Sequence, residues 1–366
     1  MRVLIVSANY FPVMGGVETH VAEVAPRLMR AGVQVEILTT DRSGLLPERE
    51  LVNGVPVHRV AAYPRRRDYY LAPGVAHAMA RGRWDLVHCQ GIQTLVPPLA
   101  MLVAAQRHLP FLVTFHTGGH SSMVRHRLRT LQWLALVPFL RRADRLIAVS
   151  LFEASIFGRL PGLDARRIEV ISNGAEAPGP RDPAPTVDRE LILSVGRLER
   201  YKGHHRAIAA LPQLMQWRPG VRLRIAGSGP YEAQLHAAAR RLGVEDRVEI
   251  AAIPPTDRSA MADLMARAGV VVLLSDYEAQ PLAVLEALAL GRPVVATDAT
   301  GLHEFVERGL ARGVPAGAST AELAAAILHA LDAPPAPPLR LTTWDDCAQR
   351  LLAVYRSIEE GAEPAR

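Results

Sequence analysis

The chain has almost no lysine. Of its 42 basic residues only Lys202 is a lysine, and it lies within the segment VGRLERYKG, residues 195–203. Lysine offers a compact point charge where arginine offers a planar fork, and phosphate is a common ligand for such a charge. The position of this one ammonium therefore suggests an anion site. The alternative is that a single lysine survives by chance in an arginine-rich composition.

Other scarce features exclude whole classes of protein. Cys89 and Cys347 are the two cysteines, and without CxxC or histidine spacing they indicate neither a disulfide framework nor a zinc site. Aromatic residues make up 5% of the chain, which offers few stacking platforms for nucleic acid. No apolar run approaches the roughly 20 residues that span a bilayer. The N-terminal apolar run is also too short for a secretory signal, so we expect a cytoplasmic protein.

Three phosphate-binding patterns are missing as well. The chain has no GxGxxG, because the GSGPYE segment at 227–232 lacks the third glycine, and it has no GxxxxGK[ST]. These absences argue against a nicotinamide dinucleotide site and against P-loop phosphoryl transfer. No DxD occurs either, so we expect no metal and no cofactor.

Length and alternation predict two α/β domains. A chain of 366 residues exceeds what one core normally supports, and short β-branched or leucine runs alternate with amphipathic helical stretches. Residues 1–183 carry a net charge of +8 and residues 184–366 one of −2. The expected strands are 3–7, 33–39, 55–60, 86–89, 111–116, 145–149 and 168–171, then 191–195, 223–226, 248–250, 270–274 and 294–297.

Proline-rich segments indicate the domain boundaries. We expect an N-terminal Rossmann-like domain over 1–177, a linker over 178–188, and a C-terminal Rossmann-like domain over 189–332. A second proline-rich spacer precedes a last helix within 341–366, which we expect to pack back on the N-terminal domain. Ligands of such sheets bind where the strands end at their carboxyl edge.

Glycines at two of these strand ends are candidates for binding an anion. Gly15 and Gly16 stand before the first helix, where backbone amides can approach a phosphate. Gly227 opens the loop after a strand of the second domain. For the pair Gly15 and Gly16, a plain tight turn is an equally good explanation.

The segment SDYEAQPLAVLEALALG, residues 275–291, holds the main acidic candidates. Glu278 follows a strand, and Glu286 lies eight residues later inside an apolar helix, where a carboxylate needs donors such as ribose hydroxyls. Pro281 suits the first turn of that helix, which leaves the amides of Leu282 and Ala283 to an anion. The alternatives are an arginine ion pair for Glu286 and a surface position for Glu278. The two carboxylates suit sugar hydroxyls, and Arg197 and Lys202 offer cations for phosphates. Together the four residues fit a nucleotide sugar.

In order along the chain, these motifs resemble the retaining glycosyltransferases of family GT4. The resemblance covers GGVETH, FHTGG, DRLIAVS, VISNG, VGRLERYKG, GSGP and the EX7E pair, and so nearly the whole chain. It implies a GT-B fold, two doubly wound Rossmann-like domains facing a central cleft. It also implies transfer of a hexose-type sugar from a nucleoside-diphosphate sugar, UDP or GDP, to a hydroxyl with retained configuration and no metal.

The resemblance assigns roles to individual residues. Arg197 and Lys202 correspond to the pair that binds the donor diphosphate, with Gly16 adding an amide. Glu286 corresponds to the ribose ligand and Glu278 to the carboxylate that orients the transferred sugar. His116 corresponds to a residue that reaches the donor sugar, although a strand-end histidine is also commonly structural. The family often has EGFG where this chain has EAQP, so we expect the amide of Gln280 to contact the sugar.

The alternatives from other classes are a glycoside hydrolase, a GT-B epimerase or phosphorylase, and a nucleotide-sugar-binding module without catalysis. The acceptor, whether a glycan, a lipid-linked or a small molecule, is left open by the sequence. Arg125, Arg127, Arg129, Arg141 and Arg142 flank an apolar stretch with Trp133, and Pro138 should interrupt a long helix there. This basic stretch, 123–142, could lie on an anionic membrane at the inner face of the cell membrane, or form an ordinary core helix.

Overall fold

The chain forms two compact units. The computed structural model describes residues 1–65, 70–119, 123–176, 185–254, 256–333 and 341–362, with the side chains of 123–129 and 362 left out. The first unit comprises Met1–Thr117, Arg127–Gly174 and Thr342–Arg366, and the second comprises Gly118–His126 and Ala175–Leu341. Both are built on a twisted sheet with helices around it.

The first unit contains an eight-stranded sheet. Its strands pair in the order β3-β4-β2-β1-β5-β6-β7-β8, and every pair except β3–β4 is parallel. The strands are β1 Arg2–Ser7, β2 Gln34–Asp41, β3 Arg49–Val52, β4 Val55–Ala61, β5 Leu86–Gln90, β6 Phe111–Thr114, β7 Arg145–Ala148 and β8 Ile168–Val170. The seven expected strands are confirmed, although β6 ends two residues before the expected His116.

The strand β3 is one that the sequence analysis missed. It pairs antiparallel with β4 across a two-residue turn formed by Asn53 and Gly54, with φ of 51° and 80°. An Asn-Gly pair in this left-handed conformation is the usual signature of a tight hairpin. The signal was therefore present in the sequence.

The helices of the first unit follow the apolar periodicity. They are α1 Gly16–Arg30, α2 Gly74–Arg81, α3 Val96–Gln106, α4 Met123–Leu140 and α5 Leu151–Gly158. Val17, Val21, Val24, Ala25 and Leu28 recur at helical spacing in the sequence; on α1 the last four are buried and Val17 is half-buried. The expected break at Pro138 is wrong, because α4 continues through it. A proline near the helix end removes one hydrogen bond without ending the helix.

The second unit contains a six-stranded sheet that is parallel throughout, in the order β11-β10-β9-β12-β13-β14. Its strands are β9 Asp188–Val195, β10 Arg222–Ala226, β11 Val248–Ala251, β12 Ala268–Leu273, β13 Val294–Thr297 and β14 Arg312–Val314. Its helices are α6 His204–Trp217, α7 Glu232–Arg241, α8 Arg258–Arg267, α9 Leu282–Ala289, α10 Thr300–Glu307 and α11 Thr320–Asp332. Strand β14 was not expected from the sequence, because it has only three residues.

The expected linker 178–188 falls largely outside the described residues, and its last residue, Asp188, already belongs to β9. After the second spacer the chain ends in α12, Trp344–Ala362, which contacts α1 in the first unit. Trp344 and Tyr355 of α12 are fully buried, and a side chain at Gly174 would collide with Trp344. Among the described residues, no helix combines the length and apolarity needed to cross a bilayer.

Candidate active site

Three neighbouring strands of the second unit end at the same edge of its sheet. Strands β10, β9 and β12 lie side by side and in parallel, so the loops that follow them share one edge. These loops carry Gly227, the Arg197–Lys202 segment and Glu278. The topology alone therefore brings together residues that are distant in the chain, such as Arg197 and Glu278, which are 81 positions apart. This edge is where parallel sheets place their ligands.

Glycines allow the first two loops to pack closely. The amide of Gly196 donates to the carbonyl of Ala226 (3.1 Å), and that of Leu198 donates to the carbonyl of Ser228 (2.9 Å). A side chain at Gly227 would overlap the carbonyl oxygen of Gly196. The contact between the loops thus accounts for glycine at position 227.

The lone lysine forms an ion pair with the first glutamate of the EX7E pair. Lys202 Nζ lies 2.6 Å from Glu278 Oε1, and the two side chains are 18% and 10% exposed. Burial acts to lower the pKa of the Lys202 ammonium, but the Glu278 carboxylate and the Tyr201 phenol outweigh it, and the pKa is raised. Lys202 therefore carries its charge at neutral pH.

Glu278 is held from three further points. The hydroxyl of Ser275 donates to Glu278 Oε1 (2.7 Å), the same oxygen that accepts from Lys202. The Glu278 amide donates to Thr300 Oγ1 (3.1 Å), and its carbonyl accepts from the amide of Gly301 (2.9 Å). Side chain and backbone are thus fixed together, and the expected loop-surface alternative for Glu278 is wrong, since only 8% of the residue is exposed.

Arg197 lies on the exposed side of the same group. Its guanidinium donates to the Tyr201 hydroxyl (3.1 Å) and lies 3.4 Å from Glu199, with 65% of the side chain exposed. The charge of Arg197 acts to lower the pKa of Lys202, so the two cations are close enough to repel each other. A diphosphate would relieve that repulsion.

Behind Arg197 a buried histidine fixes the backbone. His204 Nε2 lies 3.1 Å from the carbonyl oxygen of Arg197, and Nδ1 lies 2.8 Å from Ser194 Oγ. A carbonyl can only accept, so Nε2 carries the proton and Nδ1 accepts from Ser194. Burial lowers the pKa of His204 to about 4, which keeps the ring neutral.

Glu286 has an arginine partner. Arg258 Nη2 lies 3.3 Å from Glu286 Oε1, and the two side chains are 29% and 19% exposed. The expected burial of Glu286 inside an apolar helix is therefore only partial, and the ion-pair alternative describes its ligand-free contact. Pro281 stands at the N-cap position, one residue earlier than expected.

The remaining candidates of the second unit surround the start of α9. Leu282 and Ala283 are half-buried in its first turn, where backbone amides lack intrahelical acceptors. Gln280 is half-buried between Glu278 and the helix. All of them follow β12 in the chain and lie beside the EX7E pair.

The other three candidates belong to the first unit. Gly15 is the N-cap residue of α1 and Gly16 its first residue, and both are exposed. A side chain at Gly15 would come within 2.8 Å of Glu18 Oε2, whereas one at Gly16 would meet nothing within 4 Å. Among the described residues no contact therefore requires glycine at 16, which leaves room there for a ligand.

His116 follows β6 in a left-handed conformation, with φ of 47°. Its Nε2 lies 2.8 Å from Gln90 Oε1, and its ring packs edge-to-face on His20 at 4.7 Å between centroids. Burial first, and then the neighbouring His20 and His88, keep the pKa of His116 well below its usual value. His116 is thus a neutral hydrogen-bonding group at physiological pH and is 7% exposed.

A buried carboxylate supports the backbone beside His116. Glu153 Oε1 accepts from the amide (2.6 Å) and the hydroxyl (2.8 Å) of Thr117, and Oε2 accepts from the amide of Val149 (2.9 Å). Burial raises the pKa of Glu153 against these hydrogen bonds. Glu153 was not among the candidates predicted from the sequence, and neither were Ser275, Thr300, Arg258 and His204. Only Ser275 and His204, which adjoin the recognised motifs, could have been inferred from their positions.

Comparison with known proteins identifies the family. Residues 14–177 match the family described as Glycosyltransferase Family 4, and residues 180–341 match Glycosyl transferases group 1. The chain is 33% identical to the glycogen synthase of Mycobacterium tuberculosis, over 99% of this chain and 96% of that protein. The chain belongs to the GT4 family of glycosyltransferases.

Two further proteins are similar to this chain, one in sequence and one in fold. The glycosyltransferase is 30% identical to D-inositol 3-phosphate glycosyltransferase 1 of Catenulispora acidiphila, over 95% of this chain and 92% of that one. The sucrose-phosphate synthase of Thermosynechococcus elongatus has the same fold, with a TM-score of 0.79 and 21% identity over 99% of this chain and 100% of that one. The three names refer to different products or acceptors.

Membership confirms the expected class of enzyme. This GT4 glycosyltransferase has the GT-B fold and transfers a hexose-type sugar from a nucleoside-diphosphate sugar with retention of configuration. The glycoside hydrolase, the epimerase or phosphorylase and the non-catalytic module are set aside by the same finding. Its acceptor is not given by the family.

Proposed function

We propose that this glycosyltransferase binds its donor through the residues gathered at the edge of the second sheet and transfers the sugar without a metal ion. Arg197 and Lys202 bind the diphosphate, Glu278 orients the hydroxyls of the transferred sugar, and Glu286 binds the ribose. The observation that carries the proposal is the 2.6 Å contact between Lys202 and Glu278. This contact supports the proposal because a nucleotide sugar needs a cation for its phosphate beside a carboxylate for its sugar hydroxyls.

The pair has hydrogen-bonding capacity left for the donor. The Lys202 ammonium has three N–H donors. One of them donates to Glu278, which leaves two to donate to phosphate oxygens. Glu278 Oε1 accepts from both Lys202 and Ser275, so Oε2 faces the sugar hydroxyls in our proposal. Lys202 and Glu278 thus bind adjacent parts of one ligand without separating from each other.

The other candidates take supporting roles. The amides of Leu282 and Ala283 at the start of α9 interact with the phosphates, and Gln280 contacts the sugar. Gly227 keeps its loop close to the Arg197 loop. Gly15 and Gly16 offer backbone amides to the diphosphate, and His116 donates or accepts a hydrogen bond at the donor sugar as a neutral ring.

Catalysis in this proposal is stabilisation of the departing diphosphate. Negative charge develops on the leaving phosphate oxygens, and preorganised cations lower the free energy of that state. Each charge-assisted hydrogen bond contributes about 1.5 to 3 kcal/mol. An oxygen of the donor phosphate accepts the proton of the acceptor hydroxyl on the same face of the sugar. No side chain acts as a nucleophile in this proposal.

Binding of nucleotides tests the donor site directly. We expect UDP or GDP to raise the unfolding temperature by several degrees, and ADP and dTDP to do so much less. The same nucleotide should protect Lys202 from an amine-acylating reagent, with the N-terminal amine as the internal reference. Equal labelling of Lys202 with and without saturating nucleotide would refute the phosphate assignment.

We further propose that the acceptor is presented at an anionic membrane surface on which α4 lies. Leu131 and Leu134 are 61% and 38% exposed on this helix, and Arg141 and Arg142 are exposed at its end. An exposed apolar face beside arginines is typical of a helix at a bilayer interface. Trp133 does not belong to this face, since it packs on Phe157. The side chains of Arg125, Arg127 and Arg129 lie outside the described residues.

Flotation with liposomes distinguishes a membrane surface from a solvated helix. We expect binding to vesicles rich in phosphatidylglycerol and none to phosphatidylcholine alone. The double variant Leu131→Glu/Leu134→Glu should abolish flotation, whereas Leu242→Glu, at a position 39% exposed in the second unit, should not. Equal recovery with both lipids, or no effect of the double variant, would contradict the proposal.

A further inference from the structure

One residue beside Glu278 adopts a backbone conformation that its side chain disfavours. Thr300, the first residue of α10, has a φ of 51°. The left-handed region is uncommon for any residue with a Cβ and is an outlier for a β-branched one. Such strain persists only where the surroundings enforce it, and it is frequent at functional sites.

The surroundings of Thr300 are the backbone of Glu278. Thr300 Oγ1 accepts from the amide of Glu278 (3.1 Å), and the next amide, that of Gly301, donates to the Glu278 carbonyl (2.9 Å). A side chain at Gly301 would overlap the carbonyl oxygen of Ala279. Thr300 and Gly301 therefore hold Glu278, in the β12–α9 loop, through its amide and its carbonyl. We call this pair of hydrogen bonds the Thr300 clamp.

A glycine at 300 would adopt this φ without strain but would lose the hydroxyl. Threonine supplies an acceptor for the Glu278 amide. Thr300 thus provides a hydroxyl, which its left-handed backbone holds in place. The clamp acts on the backbone of Glu278, while Ser275 and Lys202 hold its carboxylate.

We infer that Thr300 is a positioning residue for the transferred sugar: it fixes the Glu278 carboxylate for the sugar hydroxyls through the Glu278 amide. The inference rests on the role proposed above for Glu278. Thr300 touches neither phosphate nor nucleoside in this scheme. Its loss should therefore weaken recognition of the sugar while leaving nucleotide binding intact.

The test compares Thr300→Ala and Thr300→Gly, which lack the hydroxyl, with Thr300→Ser, which keeps it. The matched control is His108→Gly, because His108 is exposed and also has a positive φ of 54°, but lies in the first unit. Two quantities are measured: KM for the nucleotide sugar against Kd for the free nucleoside diphosphate, and the acylation rate of Lys202 relative to the N-terminal amine in the ligand-free protein.

We expect Thr300→Ala to raise KM by roughly twofold to tenfold, the range that one lost hydrogen bond gives, with an unchanged Kd for the nucleotide. Lys202 should be acylated several times faster, because Glu278 no longer holds it as firmly. Thr300→Ser should restore both values, and His108→Gly should change neither. If Thr300→Ala does not fold, Thr300→Gly, which has no strain, gives the same comparison.

Two results would overturn the inference. One is wild-type KM and wild-type Lys202 labelling in both variants without the hydroxyl. The other is an equal loss of nucleotide and nucleotide-sugar affinity, which indicates general damage to the loop. If the wild-type protein bound no nucleoside diphosphate at all, the proposed donor site would fail, and the Lys202 labelling ratios would still decide whether the clamp exists.

Discussion

Lys202 donates to Glu278 over 2.6 Å, although 76 positions separate them in the chain. The pair joins the loop after β9 to the loop after β12, and both side chains are largely buried. The cation that we assign to the phosphate is thus neutralised by the carboxylate that we assign to the sugar. Each partner satisfies a charge that would otherwise be costly to bury.

Removing one partner should therefore cost more stability than removing both. We predict that Lys202→Met and Glu278→Gln each lower the free energy of unfolding by about 1 to 3 kcal/mol, because each leaves the other group without its partner. The double variant should recover most of that loss and remain inactive. Urea unfolding of the four proteins measures the coupling, and strictly additive losses would mean that the pair contributes nothing.

Replacing the lysine by arginine should also fail, although it keeps the charge. Lys202 Nζ lies 5.3 Å from the Tyr201 ring centroid and 2.6 Å from Glu278, and a planar fork cannot occupy the position of a small ammonium there. We predict a fall in kcat/KM of at least about tenfold for Lys202→Arg, or ~1.4 kcal/mol of transition-state stabilisation. Arg200→Lys, two residues earlier in the same 3₁₀ turn, is the control. A fully active Lys202→Arg variant would refute the point-charge argument.

The sequence predicts most of the fold and the identity of the main site residues. Alternating strands and helices specify the two sheets, and the motifs around Lys202 and Glu278 specify the residues. What it does not show is that these two residues touch, because a contact across 76 positions depends on strand order. Thr300 carries no local signal either, since nothing around a threonine in the sequence indicates a left-handed φ. Glu153 is missed because its partner Thr117 lies 36 positions away in the chain.

The pair formed by Arg258 and Glu286 gives a third prediction. Arg258 Nη2 lies 3.3 Å from Glu286 Oε1 and orients the carboxylate that we assign to the ribose. We expect Arg258→Ala to weaken binding of the nucleoside diphosphate by about threefold to tenfold with little change in kcat. Calorimetric titration measures it. The matched control is Arg267→Ala on the same helix. Equal losses of nucleotide affinity in both variants would mean that the positive charge on α8, and not the contact with Glu286, accounts for the effect.

Metal independence can be tested with a chelator. In our proposal Arg197 and Lys202 supply the positive charge that a divalent cation supplies to diphosphates elsewhere. We therefore predict that EDTA, followed by gel filtration, leaves kcat/KM within about twofold of its starting value. Arg197→Ala should lower kcat/KM under both conditions. A loss of activity on chelation that Mg²⁺ or Mn²⁺ restores would contradict the prediction.

Buried histidines should make the protein sensitive to mild acid. Burial lowers the pKa of His20 and His204 to about 4 and that of His88 to about 3, and it also lowers that of His116. In the unfolded chain a histidine titrates near 6.5, so the unfolded state binds the proton more tightly. The stability that these groups contribute is complete above pH 6.5 and is lost as the pH falls from there toward 4. Each histidine accounts for about 1.4 kcal/mol per pH unit in that window.

His204 offers the cleanest measurement of this effect. In His204→Gln an amide nitrogen can still donate to the Arg197 carbonyl, but the side chain no longer titrates. We predict a shallower fall in the free energy of unfolding between pH 6.5 and 5 for this variant, by about 2 kcal/mol over that range. His77→Gln, at an exposed position, is the control for the loss of a histidine. A wild-type slope in His204→Gln would mean that this ring takes up its proton without disturbing the Arg197 loop.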